Sequence, residues 1–123
     1  MIRFTKDHEW VSLDGSIATV GITSHAQDAL GDLVFVELPD IGRVVAEAEA
    51  IAVVESVKAA SDVYAPLAGT ITAVNDKIVD DPALVNRDPA GEGWFFKIDL
   101  SNTADFDALL DQAGYDALLA ETA

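Results

Sequence analysis

The sequence predicts a mainly β fold with short helices (α+β): a flattened barrel or two-sheet sandwich followed by a C-terminal helical segment. Three observations carry this. Short runs of β-branched and aromatic residues recur along most of the chain, separated by turn residues. Asp14-Gly15 stands between two such runs, a hairpin signal. From Phe106 onward the apolar spacing becomes helical. With 123 residues, one domain over 1–123 is the natural reading. Half of the residues are hydrophobic, enough for a modest core.

Ile2-Arg3-Phe4 begins as a short extended piece. His8 to Leu13 and Ser16 to Ile22 follow as β-prone runs, and the intervening Asp-Gly suits a type I′ turn with its positive φ angles. Trp10 reads as a core anchor, and His8 as a surface or capping imidazole. Thr23 or Ser24 can cap a helix through Ala26-Gln27-Asp28-Ala29-Leu30, which Gly31 ends. His25 falls in its first turn and reads as solvated. Leu33 to Leu38 is nearly continuous in apolar residues, as in a strand covered on both faces or bent into a barrel. Pro39 to Gly42 turns the chain.

Arg43 to Ala50 is ambiguous, because its Ala and Glu content favours helix. Ile51 to Val54 leads into a short polar stretch, Val63-Tyr64-Ala65 leads out to Pro66, and the two together read as a hairpin. Leu67-Ala68-Gly69 turns, Thr70 to Val74 alternates as a strand, and Asn75-Asp76 ends it. Asp80-Asp81-Pro82 reads as a solvated turn without metal-ligand spacing. Ala83 to Asn86 suits one helical turn, Gly91-Glu92-Gly93 a connector, and Trp94 to Ile98 a strand. Ser101, Asn102 and Thr103 are alternative N-caps. Phe106, Leu109, Leu110 and Ala113 recur at helical spacing until Gly114. Tyr115, Leu118 and Leu119 repeat it in a second helix, and this stripe reads as a face docked on the domain's own sheet.

Composition excludes several classes of function. There is no cysteine, so disulfides, thiolate nucleophiles and cysteine metal sites are absent. The net charge is −15, from 22 acidic and 7 basic residues. Nucleic-acid binding needs a basic footprint, and none is visible. Strong negative charge favours solubility and steers encounter with basic partner surfaces. Apolar runs fall far short of the roughly 20 residues of a membrane span. No signal-peptide or transit pattern opens the chain. A cytoplasmic protein is expected, or a mitochondrial one with its presequence removed. No nucleophile elbow, P-loop or dinucleotide fingerprint occurs, and no catalytic or metal-ligating residue is assigned.

The chemistry centres on Glu55-Ser56-Val57-Lys58-Ala59-Ala60-Ser61-Asp62. Period-two alternation puts Lys58 near the hairpin reversal, a long cationic side chain with small or β-branched neighbours. An arbitrary lysine is simply exposed. This setting also suits covalent attachment by another protein's active site.

The stretch Val54 to Val63 resembles the lipoylation site of the glycine cleavage H-protein family. Similar matches run through His8-Glu9-Trp10-Val11, Gly21-Ile22-Thr23, Ala26-Gln27 and Leu30 to Pro39, then Leu84-Val85-Asn86 and Asp88 to Trp94. They cover almost the whole chain in the family's order. Two positions depart from the pattern: Ala48 stands where the family usually has Gly, and Ala90 where it usually has an aromatic residue. The family has a short strand and a turn over this segment, so the resemblance favours strand-turn-strand for Arg43 to Ala50, and that reading is adopted. Ala carries a penalty at positive φ that Gly does not, so the Ala48 turn is of another type or the loop differs.

The resemblance implies a lipoyl-domain hammerhead fold and lipoate in amide linkage on Lys58. Amide formation would take the charge from −15 to −16. Glu55 and Asp62 bracket Lys58 in a small-residue stretch and, with Val57 and Ala59, are expected to be read at the tip. The family keeps a carboxylate at the position of Glu9 beside the docked arm, and Glu9 and Asp62 are the expected shelter for the arm or its cargo. The implied protein is a monomeric carrier and not an enzyme, with no nucleic-acid or membrane partner. It would move an aminomethyl group from a pyridoxal-phosphate glycine decarboxylase (P protein) to a tetrahydrofolate aminomethyltransferase (T protein). A dihydrolipoyl dehydrogenase (L protein) would reoxidise it, after lipoate-attaching enzymes had modified it. The alternatives are a lipoate-relay donor and a swinging-arm domain of another complex. Biotin carriers favour Met on both sides of the lysine, where Val57 and Ala59 stand here. Acyltransferase lipoyl domains commonly show Asp-Lys-Ala and lack the Trp10 and Gly91 to Trp94 regions.

Overall fold

The computed structural model describes residues 2–122. Strand β1 (Ile2–Phe4) pairs antiparallel with β2 (Glu9–Asp14), and β2 with β3 (Ile17–Ile22). Asp14 still pairs with Ile17, so the loop residues are Gly15 and Ser16. Of these two, Gly15 alone has positive φ, 64°. That is the pattern of a type II′ turn, not the expected I′, which needs positive φ at both positions. Helix α1 (Ser24–Leu30) opens on Thr23, whose hydroxyl accepts the Ala26 amide, and closes on Gly31 at φ 84°. Strand β4 (Leu33–Glu37) follows, then β5 (Val44–Val45) and β6 (Ala50–Ser56).

The ambiguous segment 43–50 is therefore strand-turn-strand, as adopted. Ala48 holds a φ of 66°. The left-handed turn survives without glycine, anchored by hydrogen bonds from Ala48 N to Ala65 O (2.8 Å) and from Ala65 N to Glu49 O (2.8 Å).

Strand β7 (Ala60–Tyr64) pairs back on β6, and β8 (Gly69–Val74) leads to α2 (Asp76–Asp80) and α3 (Ala83–Arg87). Where the sequence predicts only the end of a strand at Asn75-Asp76, α2 begins. This five-residue helix buries Ile78 completely. Strand β9 covers Phe96–Leu100, not the expected 94–98. Asn75 explains the shift: its carboxamide donates to the carbonyls of Glu92 (2.7 Å) and Trp94 (2.8 Å), holding 92–94 as a bonded connector.

The C-terminal region departs most from expectation. A 3-10 turn, Thr103–Ala108, is capped by the Asn102 side chain. Leu110 then runs extended, bridged to Phe4. Helix α4 (Gln112–Thr122) passes through Gly114 without a break. A glycine inside a helix costs about 1 kcal/mol, and the Asp111 carboxylate accepts the Gly114 amide (2.8 Å) as an N-terminal cap that offsets it.

The strands form two antiparallel sheets, a six-stranded one in the order β1-β2-β3-β9-β8-β5 and a three-stranded one in the order β4-β6-β7. They form a two-sheet sandwich, and no closed barrel. In the main core Phe95, Phe96, Phe106, Leu67 and Ile71 are fully buried. Full burial of a side chain of this kind stabilises by about 1.5–3 kcal/mol. A second cluster at the end of the six-stranded sheet joins Phe4, Trp10 and Tyr115, with Leu118 and Leu119 packed against it. Trp10 is thus the expected core anchor. Its indole lies over Gly21, where a Cβ would come within 2.7 Å of the ring. The Tyr115 hydroxyl meets Thr23 Oγ1 (2.7 Å) and His8 Nδ1 (2.9 Å), so α4 docks on its own sheet as the stripe predicts.

Candidate functional site

Lys58 sits at the end of the β6–β7 hairpin, beyond the last cross-strand pair, Glu55 with Ala60. Ser56 builds the reversal. Its amide donates to Ala59 O (2.7 Å), and its hydroxyl oxygen accepts the amides of Lys58 (3.2 Å) and Ala59 (3.0 Å). A serine hydroxyl that satisfies two local amides makes a tight turn without bulk. Ser56 was missed as a functional residue, although a Ser two residues before the lysine is the signal for it.

Val57, Lys58, Ala59 and Ala60 are all exposed, and Val57 is 72% accessible, so an apolar contact lies beside the lysine. Among the described residues, Lys58 takes part in no ion pair. Its stem lies over Gly31, with Cε 3.4 Å from the position a Cβ would take there.

The carboxylates fall in two places. Register pairs Glu55 with Phe35 and Ala60, and Val53 with Glu37 and Asp62. Glu37, Glu55 and Asp62 therefore share the outer face of the three-stranded sheet with the half-exposed Phe35. No lysine or arginine occurs within its three strands. This face flanks the tip with negative charge.

Glu9 lies elsewhere. It is 2% exposed, and its carboxylate accepts the Tyr64 amide (2.7 Å) and the Thr5 hydroxyl (3.3 Å). Burial pushes its carboxyl up to about 8, against the lowering effect of the Tyr64 amide; nearby Asp7 adds to the rise, and Thr5 opposes it. At neutral pH most of Glu9 is protonated. It lines a cavity of about 410 Å³ together with Phe4, Ala48, Tyr64, Pro66 and Leu110. Asp62 does not line this cavity, so the structure does not bring the two proposed shelter residues together there. From the tip, β7 runs roughly 13 Å from Ala60 to Tyr64, at about 3.3 Å per residue.

The His8 and His25 rings lie with centroids 4.6 Å apart, tilted by 35° to each other. Burial, then the neighbouring His25, lowers the His8 pKa against the raising effect of Asp7. His8 anchors α4 through Tyr115 and has no part in the tip.

The chain is similar to known proteins over nearly its whole length. The family model described as glycine cleavage H-protein matches residues 2–122. A glycine cleavage system H protein of Acidiphilium cryptum (strain JF-5) is 64% identical over 118 residues, 96% of this chain and 95% of that one. Another, of Paramagnetospirillum magneticum (strain ATCC 700264 / AMB-1), is 61% identical over 117 residues, 95% and 94% of the two chains. The crystal structure of a glycine cleavage system H protein from Mycobacterium marinum superposes with a TM-score of 0.88 at 40% identity, covering 97% of this chain and 96% of that one.

Proposed function

The chain belongs to the glycine cleavage H-protein family, the lipoyl carriers of the glycine cleavage system, and from that premise we propose that Lys58 is the residue that carries lipoate. The family acts as a carrier component and not as a catalyst. Membership implies partner enzymes. We read them as the pyridoxal-phosphate glycine decarboxylase, the tetrahydrofolate aminomethyltransferase, dihydrolipoyl dehydrogenase and the enzymes that attach lipoate.

The observation that carries this reading is the tip. Lys58 is exposed at a turn held by Ser56, with no bulky neighbour and no ion pair among the described residues. Amide formation removes the ammonium charge, so a lysine without a counter-ion loses no partner when modified. The residues therefore fit the group. When bound, lipoate supplies a dithiol–disulfide couple that takes up and releases a one-carbon amine unit, chemistry this cysteine-free chain lacks.

The chain's own residues do the rest. Ser56 presents the lysine, Val57 and Ala59 leave room for an enzyme's active site, and Glu55 and Asp62 supply charge that a basic partner can read. Glu9 serves as the shelter residue. An ammonium entering its cavity would favour the ionised carboxylate and draw off the Glu9 proton. Asp62 serves at the tip and not in that cavity. Residues 1–123 act as one monomeric carrier domain. No helix among the described residues is long and apolar enough to cross a membrane. We place the carrier in the cytoplasm, or in mitochondria after presequence removal.

The test is an intact-mass spectrum and peptide map after reaction with a lipoate ligase, lipoate and ATP. The expected result is one lipoyl group, on Lys58. Lys58→Arg should accept none and carry no cargo while keeping the wild-type circular dichroism. Lipoate mapped to Lys6, Lys77 or Lys97 would end the assignment.

A further inference from the structure

We propose that Asn86, in α3, is a positioning residue that seats the attachment hairpin. This inference rests on the assignment of Lys58 as the modified lysine.

Only Gly31 and Asp32 separate the end of α1 from the start of β4. Asn86 pins both sides of that corner. Its Oδ1 accepts the Leu33 amide (2.9 Å), and its Nδ2 donates to Gly31 O (2.9 Å) and to Gln27 Oε1 (2.9 Å). One acceptor and two donors are the hydrogen-bonding groups of a carboxamide, and here the partners fix which end is which. With its flanks held, Asp32 presents its carbonyl to the hairpin, and Val57 N donates to it (3.1 Å). By this bond the tip residues 57–59 reach beyond their own hairpin. The stem of Lys58 rests on the same corner, over Gly31.

The order of contact is Asn86, the 31–33 corner, the Asp32 carbonyl, the Val57 amide, Lys58. The bonds within the hairpin set the shape of the turn, and the Asp32 bond sets where it points. Without Asn86 the corner keeps the Gly31 amide's bond to Gln27 O and the pairing of β4 with β6, but loses the bonds that hold the Gly31 carbonyl and the Leu33 amide on either side of Asp32, and the hairpin tip samples orientations that an attachment enzyme cannot use. When the competent orientation is a fraction of a rapidly exchanging population, apparent affinity falls by that fraction while turnover of the bound form stays.

The experiment compares wild type with Asn86→Asp, which keeps the acceptor toward Leu33 but loses both donors. The probes are a lipoate ligase with lipoate and ATP, and amide hydrogen exchange. The expected result is a KM for the carrier raised about five-fold, the effect of losing the one Val57–Asp32 hydrogen bond at ordinary net strength once its support is gone, with kcat within about two-fold. Val57 amide exchange should rise by a similar factor while Ile98 exchange stays put. Ile98→Val, a core truncation far from the corner, should lower stability without moving KM. In wild type, the Val57 amide should be protected despite its exposed side chain.

An unprotected Val57 amide in wild type would overturn the inference without recourse to any variant. So would an unchanged KM in Asn86→Asp, or an equal KM rise in Ile98→Val. Peptide mapping of the same reactions separates the two levels. Lipoate on a lysine other than Lys58 refutes the attachment assignment. Lipoate on Lys58 with a normal KM in Asn86→Asp refutes the positioning role alone.

Discussion

The Glu9 carboxylate accepts the backbone amide of Tyr64 at 2.7 Å, joining β2 of the six-stranded sheet to β7 of the three-stranded sheet. The bond spans 55 residues of sequence and closes one wall of the cavity. It also sets a pH dependence. The Glu9 pKa in the fold, about 8, lies above its ordinary 4.5. The folded state therefore binds more protons between those values, and stability is greatest below 4.5 and falls as pH rises toward 8. The loss amounts to on the order of 4 kcal/mol between pH 5 and 8. Glu9→Gln should remove that slope, so the variant gains on wild type as pH rises. Urea unfolding at pH 5 and pH 8 measures it. A constant gap between the two proteins would mean that Glu9 is ionised in the fold.

Ala48 offers a stabilising change. Its φ of 66° costs an L-residue about 1–2 kcal/mol. Glycine avoids this but loses about 0.5–1 kcal/mol in chain entropy. Ala48→Gly should therefore stabilise by about 0.5–1 kcal/mol net, raising Tm by a few degrees. A lower Tm would show that the turn is not left-handed in solution.

Glu55 and Asp62 should act on recognition and not on folding. Both are exposed on the outer face beside the tip. The double replacement by Ala should slow lipoate attachment while shifting stability by no more than about 0.5 kcal/mol. Unchanged attachment kinetics would leave them as solvated charges.

Salt should weaken loading by the decarboxylase. The motivation is the net charge of −15 and an outer sheet face with carboxylates and no basic residue in its strands. Raising ionic strength from 0.01 to 0.15 M shortens the Debye length from about 30 to about 8 Å. A transient carrier contact should show this chiefly in the association rate. The measurement is the loading rate across a salt series, with intrinsic decarboxylase activity controlled. A flat or rising profile would assign docking to apolar contacts at Val57.

The strands and the tip were legible because they follow local rules. Alternation, Thr23 as a cap and Gly31 as a stop act within a few residues. What was missed depends on distant partners. Asn75 holds the 92–94 connector and moves β9 by two residues. Ile78 makes a short acidic segment helical by giving it a core to enter. Asp111 rescues Gly114. Within the site, the lysine and its flanking acids could be read from pattern. Ser56 carried a local signal that went unused, and the Asn86 corner carried none, since it joins residues more than 50 apart.

The two parts of the site differ in how soon a growing chain can make them. All pairs of the β6–β7 hairpin lie between Ala50 and Tyr64, so little loop entropy opposes its closure. The cavity draws Phe4 and Glu9 from one end of the chain, Tyr64 from the middle and Leu110 from the other end. Its Phe4 wall is stacked on Tyr115, whose bond to His8 spans 107 residues. Contacts of that range form slowly. The ribosome thus releases a lysine-bearing hairpin well before it releases the last wall of the chamber. An enzyme reading the hairpin on its Asn86-held corner would meet nascent chains, whereas occupancy of the chamber would mark only finished ones.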